Sequence, residues 1–179
     1  MAAAGITVSA EAYLARLTAL QRPKLDKAVA LALVDTAKSA ISKGASLIAR
    51  RTGLKTGTVK QRIYYDPVRV GAYQVVVRSS RRPIPLIEFA SVRQTGAGVR
   101  TGAWGRSQVI SSAFIATMPS GHRGVYRRRG PARLPIRQLW GPTIFGTFAT
   151  PEVQSVIAAT MRDRLQKALT RRIASATRR

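Results

Sequence analysis

The 179-residue sequence contains no cysteine and a single histidine, His122. Without cysteine there are no disulfides, thiolate metal sites or cysteine nucleophile. One histidine rules out zinc sites built on several imidazoles. Acidic residues are scarce: seven Asp and Glu stand against 31 Lys and Arg, a formal net charge of +24. So few carboxylates, spread along the whole chain, do not make an all-carboxylate calcium cage. The longest unbroken apolar run, Ala28 to Val34, falls far short of the roughly 20 residues of a membrane span. Met1 to Ala10 has neither a basic n-region nor an adequate apolar h-region. No signal peptide is read, and a cytoplasm-like compartment is expected.

The apolar fraction is ordinary at 45%, enough for a packed core. The charge is not ordinary. Self-repulsion on this scale disfavours a compact monomer unless counter-charge lies near, which implies a polyanion, an acidic partner surface or a membrane. Twenty-four of the cations are Arg and seven are Lys. The planar fork of Arg suits phosphate and carboxylate. No acidic residue occurs between Glu88 and Glu152, an interval holding nine arginines: 93, 100, 106, 123, 127, 128, 129, 133 and 137. A merely solvated surface usually mixes both signs. These arginines are therefore read as facing DNA phosphates or an acidic protein ring, and composition leaves that choice open.

Hydrophobic periodicity predicts a helix from about Ala10 to Gln21, interrupted at Arg22-Pro23 because proline disfavours helical geometry at the residue before it. A longer helix is predicted from about Pro23 to Arg51. Leu25, Val29, Leu33, Ala37, Ile41, Gly44 and Ile48 form its apolar stripe, and Thr52-Gly53 ends it. Gly44 costs about 1 kcal/mol against Ala in a helix, which close approach of another backbone would explain. Alternation around Tyr73, Val75 and Val77 predicts a strand, broken at Arg81-Arg82-Pro83. Ile84 to Phe89 reads as a short edge segment. Gln94 to Gly105 reads as a flexible loop with at most one short strand. Gln108 to Thr117 and Gly124 to Arg129 read as two strands joined by the turn Met118 to Gly121. Gly130 to Phe148 reads as an ordered loop with a helical turn. Thr150 as N-cap, Pro151 and Glu152 open a last helix, with Val153, Ile157, Met161, Leu165, Leu169 and Ile173 as its stripe. The expected fold class is α+β: long N-terminal helices and a C-terminal helix packed on a small antiparallel β-sheet. The expected organisation is an N-terminal arm or helix (1–22), a single α+β domain (23–170) and a basic C-terminal tail (171–179) able to order on assembly.

Several motifs suggest chemistry. Ala49, Gly53 and Val59 fall at helix-turn-helix offsets, and a second helix over Thr56 to Ile63 would present Lys55, Thr58, Lys60, Gln61 and Arg62 to a major groove. The plainer reading is a corner leading into the first strand. Gly96 to Gly102 has one residue too many for a dinucleotide fingerprint, and lacks the flanking strand and helix. His122 has Ser120 nearby but no acid within 29 residues on either side, so a nucleophile–base–orienter set is not read and an exposed turn histidine is. Glu88 and Glu152 have nothing beyond their charge to recommend them as a catalytic pair. No catalytic residue, metal site or cofactor is expected. Tyr126, Trp140, Phe145 and Phe148 are able to stack on bases with Arg, but are read first as packing the basic loop. The run Arg133 to Pro142 is rigid and apolar for a loop, as specific interfaces are.

That run also carries a resemblance. Arg133-Leu134-Pro135-Ile136, followed by Leu139-Trp140-Gly141-Pro142-Thr143-Ile144, closely resembles the signature of the minor tail protein Z family of long-tailed phages and prophages. The family's usual form is Arg-Leu-Pro-Ile, then Leu, an aromatic and Gly-Pro-Ser-Ile. Ala113 to Met118, Ser120-Gly121-His122 and Gly124 to Arg128 resemble its preceding hairpin. Ile48 to Tyr64 is similar to its basic corner. The resemblance spans about Leu25 to Leu169. Trp140 replaces the usual Tyr, Thr143 the usual Ser, and the arginine load is heavier, which leaves room for a more DNA-directed surface.

The resemblance implies a structural, non-enzymatic virion protein that completes the tail at its head-proximal end and enables head–tail joining around the DNA channel. It implies a homo-oligomeric ring, expected to be hexameric to match the tail's six-fold symmetry. It also implies tail terminator, tail tube and head–tail connector proteins as neighbours, with assembly in the host cytoplasm. On this reading Arg123, Arg127, Arg128, Arg129, Arg133 and Arg137 face DNA phosphates or an acidic partner. Leu134, Pro135, Ile136, Leu139, Trp140, Gly141 and Pro142 form an intersubunit or intraloop interface. No membrane partner is expected. The alternative is a sequence-specific helix-turn-helix DNA-binding protein.

Overall fold

The computed structural model describes residues 5–9 and 22–177. The helix expected over Ala10 to Gln21 lies outside the described residues. A strand that periodicity did not announce, β1 (Gly5–Ser9), comes first. Helix α1 (Arg22–Thr52) runs for 31 residues, with Pro23 in its first turn, where a missing N–H breaks no hydrogen bond. It ends at Gly53, whose φ of +72° a side chain tolerates poorly. Its stripe is as predicted: Val29, Leu33, Ala37 and Ile48 are fully buried. A short α2 (Thr56–Lys60) turns the corner into β2 (Ile63–Tyr65) and β3 (Gln74–Ser79). On β3, Val75, Val77 and Ser79 point inward and alternate with more exposed neighbours, the period-2 signature of a half-buried strand.

The middle of the chain is richer in strands than its Gly and Pro content suggests. β4 (Ile84–Pro85) leads into a 3₁₀ turn at Leu86–Glu88. The expected loop at Gln94 to Gly105 is instead a hairpin of β5 (Arg93–Thr95) and β6 (Gly98–Thr101), then a 3₁₀ turn at Ala103–Gly105. The single strand expected over Gln108 to Thr117 is two: β7 (Gln108–Ser111) and β8 (Ala113–Thr117). Ser112, at φ 59°, breaks the run, and the halves join different sheets. β9 (Arg123–Arg128) follows. The expected loop at Gly130 to Phe148 has its expected helical turn, α3 (Phe145–Phe148), but also contains β10 (Ile136–Gln138) and β11 (Trp140–Gly141). These departures share a cause. Strands of two to five residues are too short for a clear period, and exist because a partner strand satisfies their backbone groups.

Helix α4 (Pro151–Thr177) closes the fold. The Thr150 carbonyl accepts the Gln154 N–H (3.0 Å), as a capping residue's does, while its hydroxyl donates to the Thr147 carbonyl (2.8 Å). Residues 171–177 of the expected tail extend this helix, and Arg171 and Arg172 both donate to Asp35 Oδ2 on α1.

The strands form four antiparallel groups, ordered β1-β3-β2, β5-β6-β7, β10-β9-β8 and β11-β4. Helices α1 and α4 pack along each other, with β3 against α1 and β1 against α4. Val153, Ile157, Met161, Leu165 and Leu169 of α4 are buried in this core, and each such side chain contributes roughly 1.5–3 kcal/mol by leaving water. At the crossing, a Cβ on Gly44 would lie 2.7 Å from Ile157 Cδ1. The close neighbour is thus a side chain and not the other helix's backbone. The architecture is α+β, with both long helices where the apolar stripes put them.

Candidate functional site

The β8–β9 hairpin carries the basic run. Its turn is closed by Met118 N–H donating to the His122 carbonyl (2.9 Å) and Gly121 N–H to the Met118 carbonyl (2.8 Å). Gly124, Val125 and Tyr126 are buried in mid-strand, which leaves Arg123, Arg127 and Arg128 at exposed ends. β10 pairs with β9 so that Ile136 stands opposite Arg128, Arg137 opposite Arg127 and Gln138 opposite Tyr126. Two guanidinium groups directly across a ladder repel. The Arg128 guanidinium lies 5.6 Å from the centroid of the Phe114 ring, a cation–π contact. That ring in turn sits 6.2 Å from Tyr126. Arg129 donates its backbone N–H to the Pro135 carbonyl (3.2 Å), and Arg133 stands in the loop beyond.

All six predicted arginines, Arg123, Arg127, Arg128, Arg129, Arg133 and Arg137, are exposed. Among the described residues none of the six forms an ion pair. Four carboxylates are engaged elsewhere: Asp66 with Arg78, Glu152 with Arg51, Asp163 with Lys167, and Asp35 with Arg171 and Arg172. Asp26 accepts from the Tyr73 hydroxyl (3.0 Å). None of these ion pairs reaches the basic face.

The predicted interface motif divides in two. Leu139 and Gly141 serve the protomer. Leu139 donates its N–H to the Val125 carbonyl (2.8 Å) and accepts from Leu86 N–H (3.3 Å). Gly141 is buried opposite Ile84, where a Cβ would stand 2.5 Å from the Phe89 ring. Ile136 is half-buried. Leu134 and Trp140 instead face solvent, 67% and 53% exposed, with Pro135 and Pro142 also exposed. Of the other aromatics read as packing the loop, Tyr126 and Phe148 are buried, and Phe145 lies under the Arg81 guanidinium at 4.3 Å.

The helix-turn-helix expectation fails on length. Ala49 and Val59 are buried as that motif requires, but α2 stops at Lys60, and Ile63 already pairs with Ser79 in the sheet. Five residues are little more than one turn, too short to lay along a groove. The residues form the corner of the plainer reading.

His122 is exposed in its turn, where the Gln138 side-chain amide donates to its Nε2 (3.0 Å). Glu88 and Glu152 are not brought together: Glu152 pairs with Arg51, and Glu88 lies in the turn after β4. Among the described residues no three His, Cys, Asp or Glu side chains gather, and no helix is long and apolar enough to cross a membrane. Sequence reading missed the β5–β6 turn, which stands beside the hairpin and walls an open groove next to Arg127, Arg128 and Arg129. The only hint of it was the glycine spacing at Gly96 and Gly98.

The family model for prophage minor tail protein Z matches residues 9–179. The chain belongs to the prophage minor tail protein Z family. The match extends past both ends of the stretch on which the motif resemblance rests, and takes in both long helices and the whole basic hairpin. Comparison with curated proteins and with solved structures gives no match. Family membership makes the chain a structural component of a phage tail.

Proposed function

We propose that this protein completes the phage tail at its head-proximal end and makes it competent to join a DNA-filled head. It acts as a ring of identical subunits, hexameric to match the tail, between the tail terminator and tube on one side and the head–tail connector on the other. Assembly takes place in the host cytoplasm, and the contribution is structural, not catalytic.

The observation that carries this reading is the pairing of two surfaces on one loop system. The six arginines of the hairpin and loop face outward and form no ion pair among the described residues, and Leu134 and Trp140 stand exposed near them in the sequence. A ring subunit needs two different contact surfaces, because head-to-tail closure makes each protomer use unlike faces. It also needs a positive face if the ring surrounds DNA, and phosphate contacts supply that without reading sequence. Exposed Trp and Leu on a backbone held by β10 and β11 suit the first need, and the arginines suit the second.

The test is complementation in vitro. Tails assembled without this protein are mixed with purified subunit and filled heads, and joined particles are counted by negative-stain microscopy. Wild-type protein restores joining. Trp140→Ala does not, although its stability changes by less than about 1 kcal/mol, because Trp140 is more than half exposed. A Trp140→Ala subunit that joins heads and tails normally sinks the interface assignment, and wild-type protein that fails to join them sinks the tail-completion reading.

A further inference from the structure

The groove beside the hairpin has a volume of about 710 Å³ and is open along one side. Arg127, Arg128 and Arg129, the Gly96–Gly98 turn and Phe114 all line it. We propose that this groove is a binding site for the phosphodiester backbone of a nucleic-acid strand, held without readout of its bases. The inference rests on the reading that the basic face meets DNA. It goes further by naming the site, the part of the nucleic acid that is bound and the residues that bind it.

Four features favour that ligand. The first is charge. Arg127 and Arg128 end β9 and Arg129 follows at once, and all three line the groove. It thus gathers three guanidinium groups with no carboxylate among its lining residues, and each is a planar fork suited to phosphate oxygens. The second feature is access. A Cβ built on Gly96 or Gly130 would meet no atom within 4 Å, so these two lining positions leave room for a sugar–phosphate chain.

The third feature is the lack of a free base reader on the groove's one side-chain amide. The Gln94 Nε2 donates to the Thr95 and Gly98 carbonyls (both 3.2 Å), and its Oε1 accepts the Ile115 N–H (2.9 Å). That amide is spent on holding the β5–β6 turn to β8. The other groups able to read a base edge are guanidinium forks; here Arg127, Arg128 and Arg129 are exposed, where phosphate contacts position a strand. The fourth feature is preorganisation. Arg128 lies against the Phe114 ring, which limits its rotamers and lowers the entropy lost when it meets an anion.

An acidic protein segment is the competing ligand. A second copy of this chain is poorly equipped to supply one, since five of its carboxylates are already bonded internally and the sequence has no acidic run.

The test uses the full-length protein and fluorescently labelled random-sequence DNA of about 20 nucleotides, single-stranded and duplex, titrated across a salt series. The variant is Arg127→Gln/Arg128→Gln/Arg129→Gln. The control, Arg162→Gln/Arg164→Gln/Lys167→Gln, removes equal charge from exposed positions on α4. The groove variant is expected to weaken binding by at least about tenfold and to flatten the salt dependence by about two to three phosphate contacts. The control is expected to lose less than about threefold, through its change in net charge alone. Equal losses in variant and control overturn the site. So does displacement of the DNA by polyglutamate at matched charge concentration, which would make the groove an acidic-peptide site. A preference for one random sequence over another overturns the absence of base readout. Thermal melting checks the fold. If the triple variant melts early, Arg127→Gln and Arg129→Gln alone carry the test, each expected to remove about one phosphate contact from the salt slope. The head–tail joining assay is scored separately: wild-type failure there sinks tail completion, whereas loss of the variant-specific DNA effect sinks only the groove.

Discussion

Arg127 and Arg137 stand directly opposite each other on neighbouring strands, and neither meets a carboxylate among the described residues. Like charges at facing positions oppose the pairing that holds them. Replacing Arg137 with Gln should therefore stabilise the isolated subunit by about 0.5 kcal/mol while weakening its hold on polyanions. Urea denaturation measures the first effect and DNA titration the second. A less stable Arg137→Gln subunit would mean that the two guanidinium groups stack favourably. That these arginines are numerous and lack nearby acids is plain from the sequence. Their opposition is not, because it depends on the register of β10, a three-residue strand with no period of its own.

Among the elements, the two long helices are the most legible and the most exposed to packing tests. Their stripes repeat over many turns, so local pattern alone places them. At their crossing, Gly44 faces the buried Ile157. Gly44→Leu should cost about 2–3 kcal/mol, since overpacking outweighs the gain in helix propensity. Unchanged denaturant stability would show that the helices separate there freely. The last turns of α4 depend on a contact the sequence does not advertise: Arg172 donates to Asp35 Oδ2 at 2.7 Å and Arg171 at 3.1 Å. These pairs are partly exposed, so Asp35→Asn should lower global stability by no more than about 1 kcal/mol. Its clearer effect should be faster amide exchange over residues 171–177. Exchange that is unaltered would assign the order of that segment to packing of Ile173 instead. The strands were harder to read. Ser112 cuts an apparently continuous strand in two, and β11 exists because Ile84 and Pro85, far back in the chain, offer it a partner.

For the molecule as a whole, charge dominates. A net +24 with its carboxylates mostly paired internally leaves an unscreened positive field. Raising salt from roughly 0.05 to roughly 0.5 M should raise the melting temperature of the free subunit, because screening relieves repulsion. The same change should abolish most DNA binding. Melting that falls with salt would mean that the few ion pairs, such as Asp66–Arg78, outweigh the general repulsion.

Composition, periodicity and a short motif were enough to establish the α+β class, both long helices, the basic interval between Glu88 and Glu152 and the family. Each of these is either a sum over the chain or a pattern confined to a few turns, so it survives without knowledge of the fold. Tertiary structure decided which arginines stand together, that Leu134 and Trp140 face out while Leu139 and Gly141 face in, and that the β5–β6 turn walls a groove beside Arg127, Arg128 and Arg129. Those outcomes follow from pairing between segments distant in sequence, whose register is set by backbone hydrogen bonds and core burial rather than by any local signal.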